Sequence, residues 1–197
     1  MPADGARAAA GRRGRDRTGG GRGRTGKRPV LRFVVGFAVL MGLFELACFT
    51  PLMNKTVFPA YLKFNAQASA WILGVLQENV TVGGNAIHGR YALTIEKGCD
   101  AIEPSALFLS GVVAFPTAMM IKLPGMLIGT FVLMVLNLVR IVSLYYIGVY
   151  FPRWFHFAHV DFWQSMFVFL AILFWILWAL WASRDGTKQA HVAVEAD

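Results

Sequence analysis

Apolar residues fall into four long blocks, residues 33–53, 104–121, 123–148 and 162–182. Each is close to the ~20 residues that a helix needs to cross a bilayer. The second and fourth blocks hold no Asp, Glu, Lys or Arg, the first holds only Glu45, and the third only Arg140. Between the first two blocks the pattern changes. Leu62, Ala66, Ser69, Leu73 and Leu76 recur near helical spacing, which predicts an amphipathic helix over residues 60–77 lying along the outer membrane surface. Residues 80–82, 86–88 and 91–95 are short β-prone runs punctuated by Gly83-Gly84 and Gly89, a small hairpin or meander that ends at Glu96, Lys97 and Gly98. The expected fold is an all-α integral membrane protein of about four transmembrane helices, with an extracytoplasmic hairpin and amphipathic-helix insertion before the second span.

Composition agrees with a membrane solvent: 56% of the residues are hydrophobic and 15% charged, too apolar a mix for an ordinary soluble domain. Of the net charge of +8, +7 belongs to residues 1–28, a Gly-, Arg- and Ala-rich stretch. It has too few apolar side chains to offset the entropy of ordering and reads as a disordered cytoplasmic tail. Its Arg-Gly run is compatible with nucleic acid, but a charge anchor before a span is the simpler role. Lys122 between spans two and three, and Arg184 and Lys188 after span four, add to the same side, so the positive-inside rule puts both termini in the cytoplasm. Trp175, Trp178 and Trp181 near the inner end, and Trp154 and Trp163 near the outer end, fit interfacial belts. The domain reading is a basic tail over 1–28, a membrane-embedded unit over 29–184 and a short cytoplasmic tail over 185–197.

Charge and depth point to a site. Motifs for zinc, for nucleotide phosphates and for dinucleotides do not occur, and no metal or cofactor is implied. The only cysteines are Cys48 and Cys99, read as free thiols, with Cys48 mid-span, far from charge and inert. At about 1.5 Å of rise per residue, Cys99 stands roughly 34 Å and Arg140 roughly 27 Å above Lys122, and His159 roughly 37 Å above Arg184. Three spans thus carry a thiol, a guanidinium and an imidazole to one height, the outer interface. Taken singly, Cys99 is equally a small buried hydrophobe, Arg140 a snorkelling anchor, and either His159 or His156 an unremarkable interfacial histidine. Cys99 follows Gly98 and opens a helix, where the dipole favours thiolate, while Asp100 opposes it. Asn137 and Ser143 give Arg140 a polar stripe. Glu103, one turn beyond Cys99, either orients His159 or Arg140 or satisfies the helix dipole. Glu45, placed near mid-membrane, either faces the site or pairs with Arg140.

At Gly98-Cys99-Asp100-Ala101-Ile102-Glu103, Asn137-Leu138-Val139-Arg140-Ile141 and Phe157-Ala158-His159-Val160 with Trp163-Gln164, the chain resembles the exosortase/archaeosortase family, exosortase H most among its branches. The likeness covers roughly residues 31–183. It departs in having fewer spans than many members, and in Asp100-Ala101 where the family often has a small polar residue and Gly. The resemblance implies a membrane cysteine protease/transpeptidase with Cys99, Arg140 and His159 catalytic. Beside it, on the residues' own account, Glu103 and Asn137 are candidates for support, Asn137 either hydrogen-bonding Arg140 or the substrate or else packing helix against helix. The implied partners would be exported proteins ending in a sorting tail of motif, hydrophobic span and basic cluster, together with membrane lipid and an amine acceptor that the chain does not identify. Water in place of the acceptor would give proteolysis. The hairpin before Cys99 offers an edge strand to the motif. The competing reading is a non-catalytic multi-pass protein, a small transporter or assembly subunit with a structural Arg140.

Overall fold

The computed structural model describes the backbone of residues 27–98 and 100–195, and the side chains of 28–98 and 100–184. Most of the expected basic tail, Cys99 and the last two residues lie outside the described residues. The first helix, α1, runs from Lys27 to Cys48. It ends where Thr50, ahead of Pro51, turns its hydroxyl back to the Ala47 carbonyl at 2.7 Å, the backbone before a proline being disfavoured in helix. The helix therefore starts and stops earlier than the apolar block suggests. Glu45 stands one turn from its C-terminal end rather than near its middle, and Cys48 closes the helix rather than sitting inside it.

A π-helical turn, Met53–Val57, leads into α2, Phe58–Val75. Its buried positions, Phe58, Leu62, Asn65, Ala66, Ser69 and Leu73, form one stripe at helical spacing. Leu76 falls beyond the helix end and is exposed. The strands β1 (Thr81–Gly83), β2 (Ala86–His88) and β3 (Leu93–Thr94) make an antiparallel sheet in the order β1-β2-β3, pairing Val82 with Ile87 and Ile87 with Leu93.

Helix α3 covers Ile102–Ala114 and α4 covers Met119–Tyr150. The second apolar block is thus a helix of 13 residues, about 20 Å long. It stops at Phe115, which is extended (φ −69°, ψ 133°) ahead of Pro116. Lys122, expected in the turn between spans, lies in the first turns of α4. It is buried, and its Nζ donates to the Val113 carbonyl at 2.7 Å, satisfying an acceptor that the end of α3 leaves open. After a 3₁₀ turn at Pro152–Trp154 and a π-helical turn at Phe157–Phe162, α5 runs from Trp163 to Glu195. Among the described residues three segments, Arg28–Cys48, Met119–Tyr150 and Phe157–Arg184, are long and apolar enough to cross a membrane. The chain is a largely helical multi-pass membrane protein.

Two cores meet along α4. One joins Leu62, Ala66 and Leu73 of α2, Ile87 and Leu93 of the sheet, Ile95, and Ile141, Leu144 and Tyr145 of α4. The other joins Phe108 and Val112 of α3, Leu133 of α4, and Phe167, Ala171 and Trp178 of α5. Close packing there depends on missing side chains, as expected where lipid supplies no hydrophobic drive. A Cβ at Gly129 would lie 2.2 Å from Cζ of Phe108.

Candidate active site at one end of the helices

Arg140 lies at the seam between the two cores, only 2% exposed, the largest fully buried side chain among the described residues. Burying a guanidinium requires partners. Its Nη2 makes a long hydrogen bond, 3.4 Å, to the His159 carbonyl, and its Cζ sits 5.4 Å from the centre of the Phe167 ring. The acceptor belongs to the π-helical turn at Phe157–Phe162, and such turns offset carbonyls from α-helical register. Ser143 turns its hydroxyl onto the Arg140 carbonyl at 2.7 Å.

Three cavities cluster here. One of about 200 Å³ is lined by Glu45, Gly98, Glu103, Arg140 and Gln164, with Phe167 as an apolar wall. A second, also about 200 Å³, shares Glu45, Gly98 and Glu103 and adds Cys48, Lys97 and Asp100. Gly98, the residue before Cys99, opens on both. The third, about 160 Å³, runs along residues 91–96 and is closed by Ile141, Leu144, Phe155 and His159. The His159 imidazole stacks on Phe155 at 5.7 Å, so guanidinium and imidazole line different cavities although Arg140 bonds the His159 backbone. His156 is exposed. A larger cavity, about 480 Å³, lies among α3, α4 and α5 and is lined by apolar and tryptophan side chains and glycines, with no ionisable group.

Asp100, the residue after Cys99, is held from both sides. Tyr61 of α2 donates its hydroxyl to the Asp100 carbonyl at 2.7 Å, and Asp100 Oδ1 accepts the Ile102 N–H at 3.2 Å, in the opening turn of α3. Burial pushes the Asp100 carboxyl above its usual range, against the hydrogen bonds from Ile102 and its own backbone and the charge of Arg140. Burial raises the Tyr61 phenol as well. Ala101 is left-handed, with φ +57°, a conformation that glycine adopts freely and alanine at a cost.

Asn137 is fully buried and donates to Asn65 Oδ1 at 3.2 Å, while Asn65 donates to the Tyr61 carbonyl at 3.1 Å. The pair ties α4 to α2, the interhelical role such amides take in membranes. Glu103 lies in the first turn of α3 and lines the same cavity as Arg140. Cys48, expected far from charge, shares a cavity with Glu45, Lys97, Asp100 and Glu103. The sequence reading missed Tyr61 and Asn65. Asn65 and Ser69 on the buried stripe of an amphipathic helix were the signal available, and Tyr61 had none, because its partner is a backbone carbonyl.

Among known proteins, the model of the transmembrane exosortase family matches residues 25–192. No curated protein matches the chain, and no solved structure does.

Proposed function

Because the chain belongs to the transmembrane exosortase family, we propose that it is a membrane cysteine protease/transpeptidase acting on exported proteins at the extracytoplasmic face of the cell membrane. It cleaves a C-terminal sorting tail and transfers the remaining protein to an amine acceptor. The observation that carries this reading is Arg140: permanently charged, buried, bonded to the backbone at His159, and lining a cavity that reaches Gly98. An arginine held so far from water is a poised anion-binding group.

In the proposed sequence the Cys99 thiolate attacks the scissile carbonyl, whose depth is fixed by the tail's own hydrophobic span. His159 takes the thiol proton, and the tetrahedral oxyanion forms against the Arg140 guanidinium. Collapse breaks the C–N bond, the departing amine receives the proton from His159, and a thioester remains on Cys99. An amine acceptor attacks that thioester and regenerates the thiol, and water gives hydrolysis instead. Glu103 and Asn137 support the site, Glu103 from the cavity wall and Asn137 by fixing α4 against α2. Membrane lipid holds enzyme and substrate at one level, and nucleic acid has no part in the reaction.

The test is a gel-shift and intact-mass assay of a C-terminally tailed protein encoded in the same genome, co-expressed with wild type or with Cys99→Ala. Processing by wild type and none by an equally abundant Cys99→Ala is the expected result, and the product mass separates transfer from hydrolysis. Equal processing by both would remove the nucleophile and leave the reading of a structural Arg140 in a non-catalytic membrane protein.

A further inference from the structure

Strand β3 is an edge of the sheet, and the register tells which of its backbone groups are unused by the sheet. Ile95 donates its N–H to the Asn85 carbonyl at 3.0 Å, and the pairs Ala86 with Thr94 and Ile87 with Leu93 continue the same register. In an antiparallel ladder the direction of N–H and C=O alternates residue by residue. Leu93 and Ile95 therefore face β2, and the N–H and C=O of Thr94 point to the open edge, with Ala92 and Glu96 in the same parity. Side chains alternate too: Leu93 and Ile95 are buried, whereas Ala92, Thr94 and Glu96 are exposed.

The strand borders a built space. The cavity of about 160 Å³ is lined by every residue from Tyr91 to Glu96, and its far wall is Ile141 and Leu144 of α4 with Phe155 and His159. Such a space suits one aliphatic side chain of moderate size, held between the strand and α4. Beyond β3 the chain continues through Glu96 to a turn at Lys97 and Gly98, the residue before Cys99. Edge strands are usually blunted by lysine, proline or a covering element. Residues 91–96 contain neither lysine nor proline.

Resting on the cysteine peptidase reading above, we infer that β3 is the docking strand for the substrate. An extended segment beside the scissile bond pairs with the Thr94 N–H and C=O, places one aliphatic side chain in the cavity against Ile141 and Leu144, and so lays its backbone between His159 and Gly98. Main-chain pairing supplies affinity and the cavity supplies selection, the division of labour in β-strand addition. The recognised ligand is an extended, apolar-centred peptide segment of an exported protein, with its own hydrophobic span attached.

Thr94→Pro removes the outward N–H without touching the ladder to β2, since proline is tolerated on an edge when its missing donor faces outward. Co-expressed with the tailed protein, Thr94→Pro should process it about tenfold or more slowly than wild type. A second measurement is independent of chemistry and of that proline. Thr94→Cys in a Cys48→Ser, Cys99→Ala background is oxidised with the tailed protein bearing single cysteines walked through the cleavage region. Disulfides at alternate substrate positions are expected, and none with Thr81→Cys on the opposite edge strand. Normal processing by Thr94→Pro, or no periodic cross-linking while wild type cleaves and Cys99→Ala does not, overturns the docking strand and leaves the enzyme standing. Periodic cross-links with no cleavage by wild type overturn the enzyme and keep the docking strand.

Discussion

Arg140 sits where a guanidinium differs most from an ammonium. Its planar fork bonds the His159 carbonyl while its face lies toward the Phe167 ring, and lysine reproduces neither geometry. Arg140→Lys is therefore expected to lose about 10²- to 10³-fold in processing rate, near the loss from Arg140→Ala, with membrane abundance measured alongside by immunoblot. Ala101 makes a steric demand. It is 2% exposed at φ +57°, so Ala101→Gly trades relief of strain against a lost methyl and a freer unfolded chain, and should stay within about 1 kcal/mol of wild type. Ala101→Val adds a β-branch to a left-handed, packed position and should cost more than about 2 kcal/mol, read as a lower Tm in detergent. Asp100 carries a pH signature. Its folded pKa is raised, chiefly by burial, so the fold binds its proton more tightly than the unfolded chain does. That contribution is fully present below the unfolded carboxyl range near pH ~4 and is lost as pH rises through the raised value. Asp100→Asn stays neutral, and its detergent Tm should fall less than that of wild type between about pH 4 and about pH 7.

Hydropathy located the apolar elements and missed their ends, for a backbone reason in each case. The first block was read through residue 53, yet Thr50 and Pro51 stop α1 at Cys48. That shift carries Glu45 to the level of Arg140, a neighbourhood that the residue count could not assign. The second block was read through residue 121, yet Pro116 stops α3, because an apolar average is blind to a missing N–H and a fixed φ. Arg140 was legible as the single charge in its block. Tyr61 was not, since a side chain that serves a distant backbone carbonyl leaves no periodic trace. The junction of α3 and α4 then rests on Lys122, whose Nζ reaches the Val113 carbonyl while its stem is buried. Lys122→Met keeps the buried stem and removes the donor, leaving the Val113 carbonyl without its bond. It should destabilise the protein by about 1–3 kcal/mol, with Lys122→Arg closer to wild type, measured by thermal unfolding in detergent.

At the scale of the whole molecule the direction of the helices matters more than their length. Glu45 near the end of α1, Glu103 at the start of α3, Arg140 in the last third of α4 and Gln164 at the start of α5 line one cavity. Lys122 in the first turns of α4 bonds the last turn of α3, and Phe33 of α1 stacks on Trp175 of α5 at 5.4 Å. The four helices therefore alternate in direction, and the start of α1 lies at the same end of the bundle as the far part of α5. That holds although α3, about 20 Å long, is shorter than a hydrocarbon core of about 30 Å. With +7 in residues 1–28, the positive-inside rule predicts that the common end faces the cytoplasm and the cavities the outside. Reporter fusions that are active only inside or only outside the cell should report cytoplasmic at both termini and extracytoplasmic after residue 84, in the β1–β2 turn. Removing residues 2–28 separates anchoring from catalysis: where the shortened chain still inserts with its termini inside, processing of the tailed protein should match wild type. A shortened chain that inserts correctly and processes nothing would make the basic tail part of the machinery, against the reading of a charge anchor.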